Sequence, residues 1–187
     1  MQFNEPPETN YAGSLLVAHP GLTDPNFEKS VVLVSAHSED EGSLGVVINR
    51  PIGKTLGEYN ADFQFGPLYD VPLYEGGPVG SDQMILTAWS WSKDKGVFKL
   101  YFGLSLEKAN DLIIEEPEAD IRGFLGYSGW GKGQLSAECS SNAWVLSNID
   151  SNALDGEAGD DMWKRLIGKF HPELRFLADS PDDPSWN

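Results

Sequence analysis

A succession of short runs rich in β-branched and aromatic residues, each closed by Gly, Pro, Asn or Asp, most constrains what this chain can fold into. They read "SLLVAH", "SVVLVSAH", "GSLGVVINR", "VPLYEG", "MILTAW", "VFKLYFG", "IRGFLGY" and "AWVLSN". Such runs fit a pleated, half-buried surface and are too short and too often interrupted for helices, so each reads as a β-strand. The second and third are joined by "SEDEG", a polar loop of hairpin length. Ser30 to His37 and Ser43 to Arg50 are therefore expected to pair as antiparallel neighbours.

Helical spacing occurs in three places. Ser105 can cap "LEKANDLIIEE" before Pro117 forbids continuation, and Asp160 or Asp161 can cap "MWKRLIG", with Gly168 at the exit. In "QLSAECSSNAW", Leu135, Cys139, Ala143 and Leu146 recur at helical spacing beside a polar stripe of Gln134, Glu138 and Asn142. Many strands with few, irregularly placed helices predict an α+β fold. Its sheet should be mixed and largely antiparallel, or a partly closed barrel, with a few flanking helices.

With 187 residues and 40% hydrophobic content, the chain supports one substantial core, so a single domain over residues 1–187 is expected. The ordered body should span about 11–177, because "NEPPETN" and "ADSPDDPSWN" combine Pro, acids and small polar residues and suit flexible ends. No signal-like or membrane-length apolar segment stands out, and the expected location is the cytoplasm, with no membrane partner. The single cysteine, Cys139, falls on an apolar stripe and is expected to be buried and unreactive.

Charge narrows the partners. Twenty-nine acidic residues against 13 basic ones give a formal charge of -16, and such a surface repels a phosphate backbone, which argues against direct nucleic-acid binding. A protein or a small-molecule ligand is the expected partner. No cofactor or metal is called for: His19, His37 and His171 lie far apart, without a second ligand at metal spacing.

The stretch "LGYSGWGKGQL" nearly completes two motifs. Gly126, Gly131 and Lys132 fit the start of a phosphate-binding P-loop, but Gly133 stands where a hydroxyl must hold magnesium. Gly126, Tyr127 and Ser128 begin a nucleophile elbow, but Trp130 occupies the closing small-residue position. The simpler expectation is a glycine turn from strand to helix around a packed Trp130. Arg50, at a strand end, is expected to pair with a carboxylate, and "GGP" at Gly76 to Pro78 to form a tight turn.

Three segments carry a family resemblance. "SLLVAHPGLTDPNFEKSVVLVSAHSEDEGSLGVVINRP", "YEGGPVGSDQMIL" and "LGYSGWGKGQLSAECSSNAWVL" are similar, in order and spacing, to signatures of the bacterial YqgE/AlgH family. The third resembles G-Y-x-x-W-x-x-G-Q-L-x-x-E, matched by Gly126, Tyr127, Trp130, Gly133, Gln134, Leu135 and Glu138; Gly131 and Lys132 fall on free positions. The resemblance implies a compact α+β fold in a group described as uncharacterised or as transcriptional regulators, and it brings no catalytic residues. Members often carry a Cys before the first signature's His, where this chain has Ala36 before His37, and some carry a His where Thr87 stands.

Residues and resemblance together point to a non-catalytic regulatory or binding protein that acts through a protein or small ligand. Its candidate binding residues are His37, Arg50, Tyr127, Trp130, Gln134 and Glu138. The alternative is an enzyme on a small phosphorylated or acyl substrate, in a cleft where residues 126–134 meet the hairpin, with His37 as general base and Arg50 as anion clamp.

Overall fold

The structure, a computed structural model, describes residues 10–92, 94–156 and 158–180. The two ends expected to be flexible therefore lie largely outside the described residues. All eight sequence-predicted strands are present: β1 (Leu15–Ala18), β2 (Val31–Ser38), β3 (Gly42–Val47), β5 (Pro72–Glu75), β6 (Val79–Ser92), β7 (Val97–Phe102), β8 (Asp120–Trp130) and β9 (Trp144–Ser147). A ninth, β4 (Pro51–Thr55), has no apolar pattern to announce it, because its residues are almost all exposed.

The strands form one mixed sheet in the order β4-β5-β8-β3-β2-β1-β9, curled into a half-barrel; β6 also pairs with β8, and β7 with β6. Among the described residues only β5 and β8 run parallel. The expected hairpin forms with His37 opposite Ser43, and a bulge between Val34 and Ala36 adjusts its register. β8 organises the rest: its first half lies between β5 and β6, and its end pairs with β3.

Backbones approach closely where "GGP" crosses β8. A Cβ on Gly76 would lie 2.3 Å from the Gly126 carbonyl oxygen, and one on Gly77 would lie 2.3 Å from that of Tyr127. Gly77 also sits at φ 148°, so glycine is required there twice over.

The helices are α1 (Leu56–Tyr59), α2 (Leu106–Glu115), α3 (Gln134–Ser140), α4 (Gly159–Phe170) and α5 (Arg175–Ala178). Ser105 caps α2 as expected, accepting the Lys108 N–H. Two helix readings need correction. α3 stops at Ser140 because Asn142 takes φ 59° and Trp144 enters β9 against β1, so Ala143 and Leu146 do not continue its face. α4 starts at Gly159, which puts Asp160 and Asp161 in its first turn rather than at its cap. It also runs through Gly168 to Phe170, which packs on the core.

The larger core cluster joins β1, β2, β3 and α4, with Trp163 donating its indole N–H to the Ala18 carbonyl at 2.8 Å. A smaller one gathers Leu56, Leu68, Val71, Leu73, Leu86 and Ala109. Asn49, 2% exposed, ties β2 to α4: its Oδ1 accepts the Val31 N–H, and its Nδ2 donates to the Lys29 and Gly159 carbonyls.

Candidate functional site

Register places His37, Ser43 and Trp130 in one row across β2, β3 and β8. Residues opposite one another in a sheet share a face, so this row points into the half-barrel while Ala36, Leu44 and Gly129 form the outward row beside it. The His37 side chain is only 7% exposed. Its Nδ1 lies 2.6 Å from Ser43 Oγ, its Nε2 lies 3.4 Å from Glu39 Oε1, and the Tyr11 ring meets it edge-on at 4.8 Å. Ser136, on α3, donates to the same Glu39 oxygen at 3.1 Å.

The turn after β8 is closed by its own side chains. Gly133, at φ 68°, turns the chain into α3, as the glycine reading anticipated. Trp130, 5% exposed, stacks on Phe27 and meets Trp144 edge-on. Glu138 collects the polar ends of this cluster: its Oε2 accepts the part-buried indole N–H groups of Trp130 at 2.9 Å and Trp144 at 2.8 Å, and its Oε1 accepts the Gln134 amide at 2.9 Å. Gln134 in turn accepts the Gly131 N–H through its Oε1. The candidates Trp130, Gln134 and Glu138 therefore form one hydrogen-bonded unit, which accounts physically for the W-x-x-G-Q-L-x-x-E part of the resemblance.

Neither enzyme-like motif survives in three dimensions. The Gly131 N–H that a phosphate would need is taken by Gln134, and Lys132 pairs with Asp40 at 3.0 Å. Ser128 is fully buried within β8 and donates to the Gly76 carbonyl, so it is no exposed elbow nucleophile.

Arg50 departs from expectation. Among the described residues it pairs with no carboxylate; its guanidinium donates to the carbonyls of Asn26 at 2.7 Å and Glu28 at 3.0 Å. It borders a groove of about 620 Å³ with Asn49, Glu75 and Asp160. That groove lies beyond the far end of β3 from Ser43, on the order of 20 Å away along extended chain. His37 and Arg50 are not brought together, so the single cleft imagined for them does not form.

Tyr127, His37 and Trp130 do border one groove, of about 550 Å³, whose outward apolar wall is Leu44, Val79 and Tyr127. Leu44 and Val79 are each 41% exposed, and the Tyr127 ring lies beside Gly129, where an added Cβ would touch it at an ordinary contact distance of 3.6 Å.

Cys139 is half-buried rather than fully buried. Burial pushes its thiol above the usual range, although a hydrogen bond with Tyr11 works in the opposite direction. Among the described residues no group of three or more His, Cys, Asp or Glu side chains is placed to hold a metal ion, and no helix is long and apolar enough to cross a membrane. Sequence reading missed Ser43 and Glu39 beside His37. The register of a tight hairpin after His37 was the signal that could have found Ser43.

The curled mixed sheet with its few helices places the chain in the class of α+β half-barrel proteins, and here its β8–α3 turn is locked by a Trp–Glu–Gln unit. The chain belongs to the DUF179, AlgH-like family, whose model matches residues 15–175. It is 34% identical to a UPF0301 protein of Streptomyces coelicolor, covering 96% of both chains. It is also 34% identical to one of Bacteroides fragilis, covering 94% of this chain and 90% of the relative. Its fold resembles the solution structure of AlgH from Pseudomonas aeruginosa, with TM-score 0.64 and 27% identity over 98% of this chain and 100% of that one. A crystal structure from Corynebacterium diphtheriae aligns with TM-score 0.68 over 96% and 95% of the two chains; at 21% identity it speaks to the fold alone.

Proposed function

We propose that this protein is a non-catalytic binding protein that acts in regulation through a protein or small-molecule ligand, without gripping DNA. One observation carries the reading: the polar groups of the candidate site are already engaged by the protein itself. Glu138 accepts three N–H donors, Arg50 is committed to two carbonyls, and both His37 nitrogens have partners. Satisfied groups of this kind hold a shape, and the surface left open beside them is the apolar wall of Leu44, Val79 and Tyr127. The charge of -16 supports an indirect route to any effect on transcription.

The test is genetic. A chromosomal Leu44→Asp change should reproduce the transcript profile of a deletion strain, while Ser43→Ala should leave it wild-type. The opposite outcome would overturn the reading, as would a tight, salt-sensitive shift of duplex DNA by the pure protein.

A second reading rests on the contact chain Ser43–His37–Glu39, which has the connectivity of a nucleophile, a base and an orienting carboxylate. It favours hydrolysis of a small acyl ester. Ser43 is 4% exposed, which counts against it. Hydrolysis of p-nitrophenyl acetate that disappears in Ser43→Ala would establish it, and equal rates in both proteins would remove it.

A further inference from the structure

A third groove, of about 570 Å³, lies between the β6–β7 hairpin and the loop that leads to α4. Its apolar surface comes from Trp89, Trp91, Phe98 and Leu154, with Trp91 directly opposite Phe98 across the hairpin. Its charged lining is of one sign: Asp94, Glu118, Asp120, Asp150 and Asp155, with no Lys, Arg or His among the described lining residues. Two of these acids are neutralised from outside the groove, Asp120 by Arg122 and Asp150 by Lys169. Asp94, Glu118 and Asp155 have no cationic partner among the described residues, and all three are exposed.

The chain itself shows what this lining accepts. The Arg122 guanidinium lies over the Trp89 ring at 4.6 Å while its Nη2 bonds Asp120 at 2.7 Å, so two residues of the groove already hold a guanidinium between an aromatic face and a carboxylate. Trp91 lines the same groove as the three unpaired acids, so the groove offers those chemical parts again where solvent can reach them. Aromatic faces attract cations and cover the aliphatic stems of Lys and Arg, and carboxylates take their charged ends.

We propose that this groove docks a Lys- or Arg-rich segment of a protein partner. The inference rests on the binding-protein reading and names the class of partner. The groove is distinct from the Leu44–Tyr127 wall, and its size is within the usual range for ligand-binding clefts.

The probe is a fluorescein-labelled octapeptide of alternating Arg and Leu, titrated into the full chain at low and high salt. Wild-type protein should bind it, less tightly at high salt. The exposed-site variant Asp94→Asn, Glu118→Gln, Asp155→Asn should bind about tenfold more weakly, the sum of three modest surface ion pairs. A variant with equal charge change elsewhere, Asp62→Asn, Asp82→Asn, Asp111→Asn, should bind like wild type. Equal weakening in both variants would mean that the overall field, not the groove, attracts the peptide, and would overturn the proposal. Displacement by an equimolar amount of spermidine would overturn the claim for a protein segment in favour of a small polycation. Absence of binding removes this groove only, whereas the binding-protein reading falls on the ester assay or the transcript profile above.

Discussion

Trp130 and Trp144, from two strands that are not neighbours in the sheet, give their indole N–H groups to the same oxygen of Glu138, at 2.9 and 2.8 Å. Removing that carboxylate leaves two indole donors without a partner beneath α3. Glu138→Ala should therefore cost about 3 kcal/mol of stability. Urea unfolding followed by tryptophan fluorescence checks this, and an unchanged midpoint would show that the indole bonds carry no net stability.

Asn49 offers a second stability test at the opposite end of β3. Asn49→Ala removes one acceptor and two donated bonds at a buried position, and about 2 to 4 kcal/mol should be lost. Hydrogen exchange should accelerate first at Val31 and at the start of α4, the segments that Asn49 ties together.

Acid sensitivity should centre on Glu116. The Tyr101 hydroxyl, the Lys99 ammonium and the Ser90 hydroxyl all bond its carboxylate and hold its pKa at about 2, against an ordinary 4.5. Because the folded value is the lower one, this contribution is present in full above about 4.5 and is lost as the pH falls toward 2. Glu116→Gln should flatten the stability profile in that window and leave its shape at neutral pH unchanged. A wild-type slope retained in the variant would contradict the assignment.

Thiol chemistry gives a fourth prediction. Burial raises the Cys139 thiol, and the thiolate is the reactive form, so native protein should react with Ellman's reagent more slowly than urea-unfolded protein at the same pH. Equal rates would mean that the side chain is more accessible than its half-buried position indicates.

The strands were legible because burial on a pleated surface selects β-branched and aromatic residues, and eight runs carried that mark. β4 did not, since "PIGKT" is exposed along most of its length and is placed by β5 rather than by a buried face of its own. The polar contacts were hidden for a different reason. Residue identity alone pairs Arg50 with a side-chain carboxylate, yet its partners are the carbonyls of Asn26 and Glu28, and main-chain acceptors leave no trace in residue identity. Gln134 and Glu138 stood out as polar residues at one helical spacing. That Glu138 meets tryptophans from two strands depends on the packing of β8, α3 and β9, which spacing along one helix does not encode.

The crossing of Gly76 and Gly77 over Gly126 and Tyr127 also limits how this fold can be altered. A side chain at Gly76 or Gly77 would meet carbonyl oxygens, which every amino acid possesses. Trimming the opposing residue cannot make room, so no substitution at the facing positions should rescue a bulkier residue there. A suppressor screen started from Gly76→Val should yield only reversion to glycine or changes that shift a whole strand.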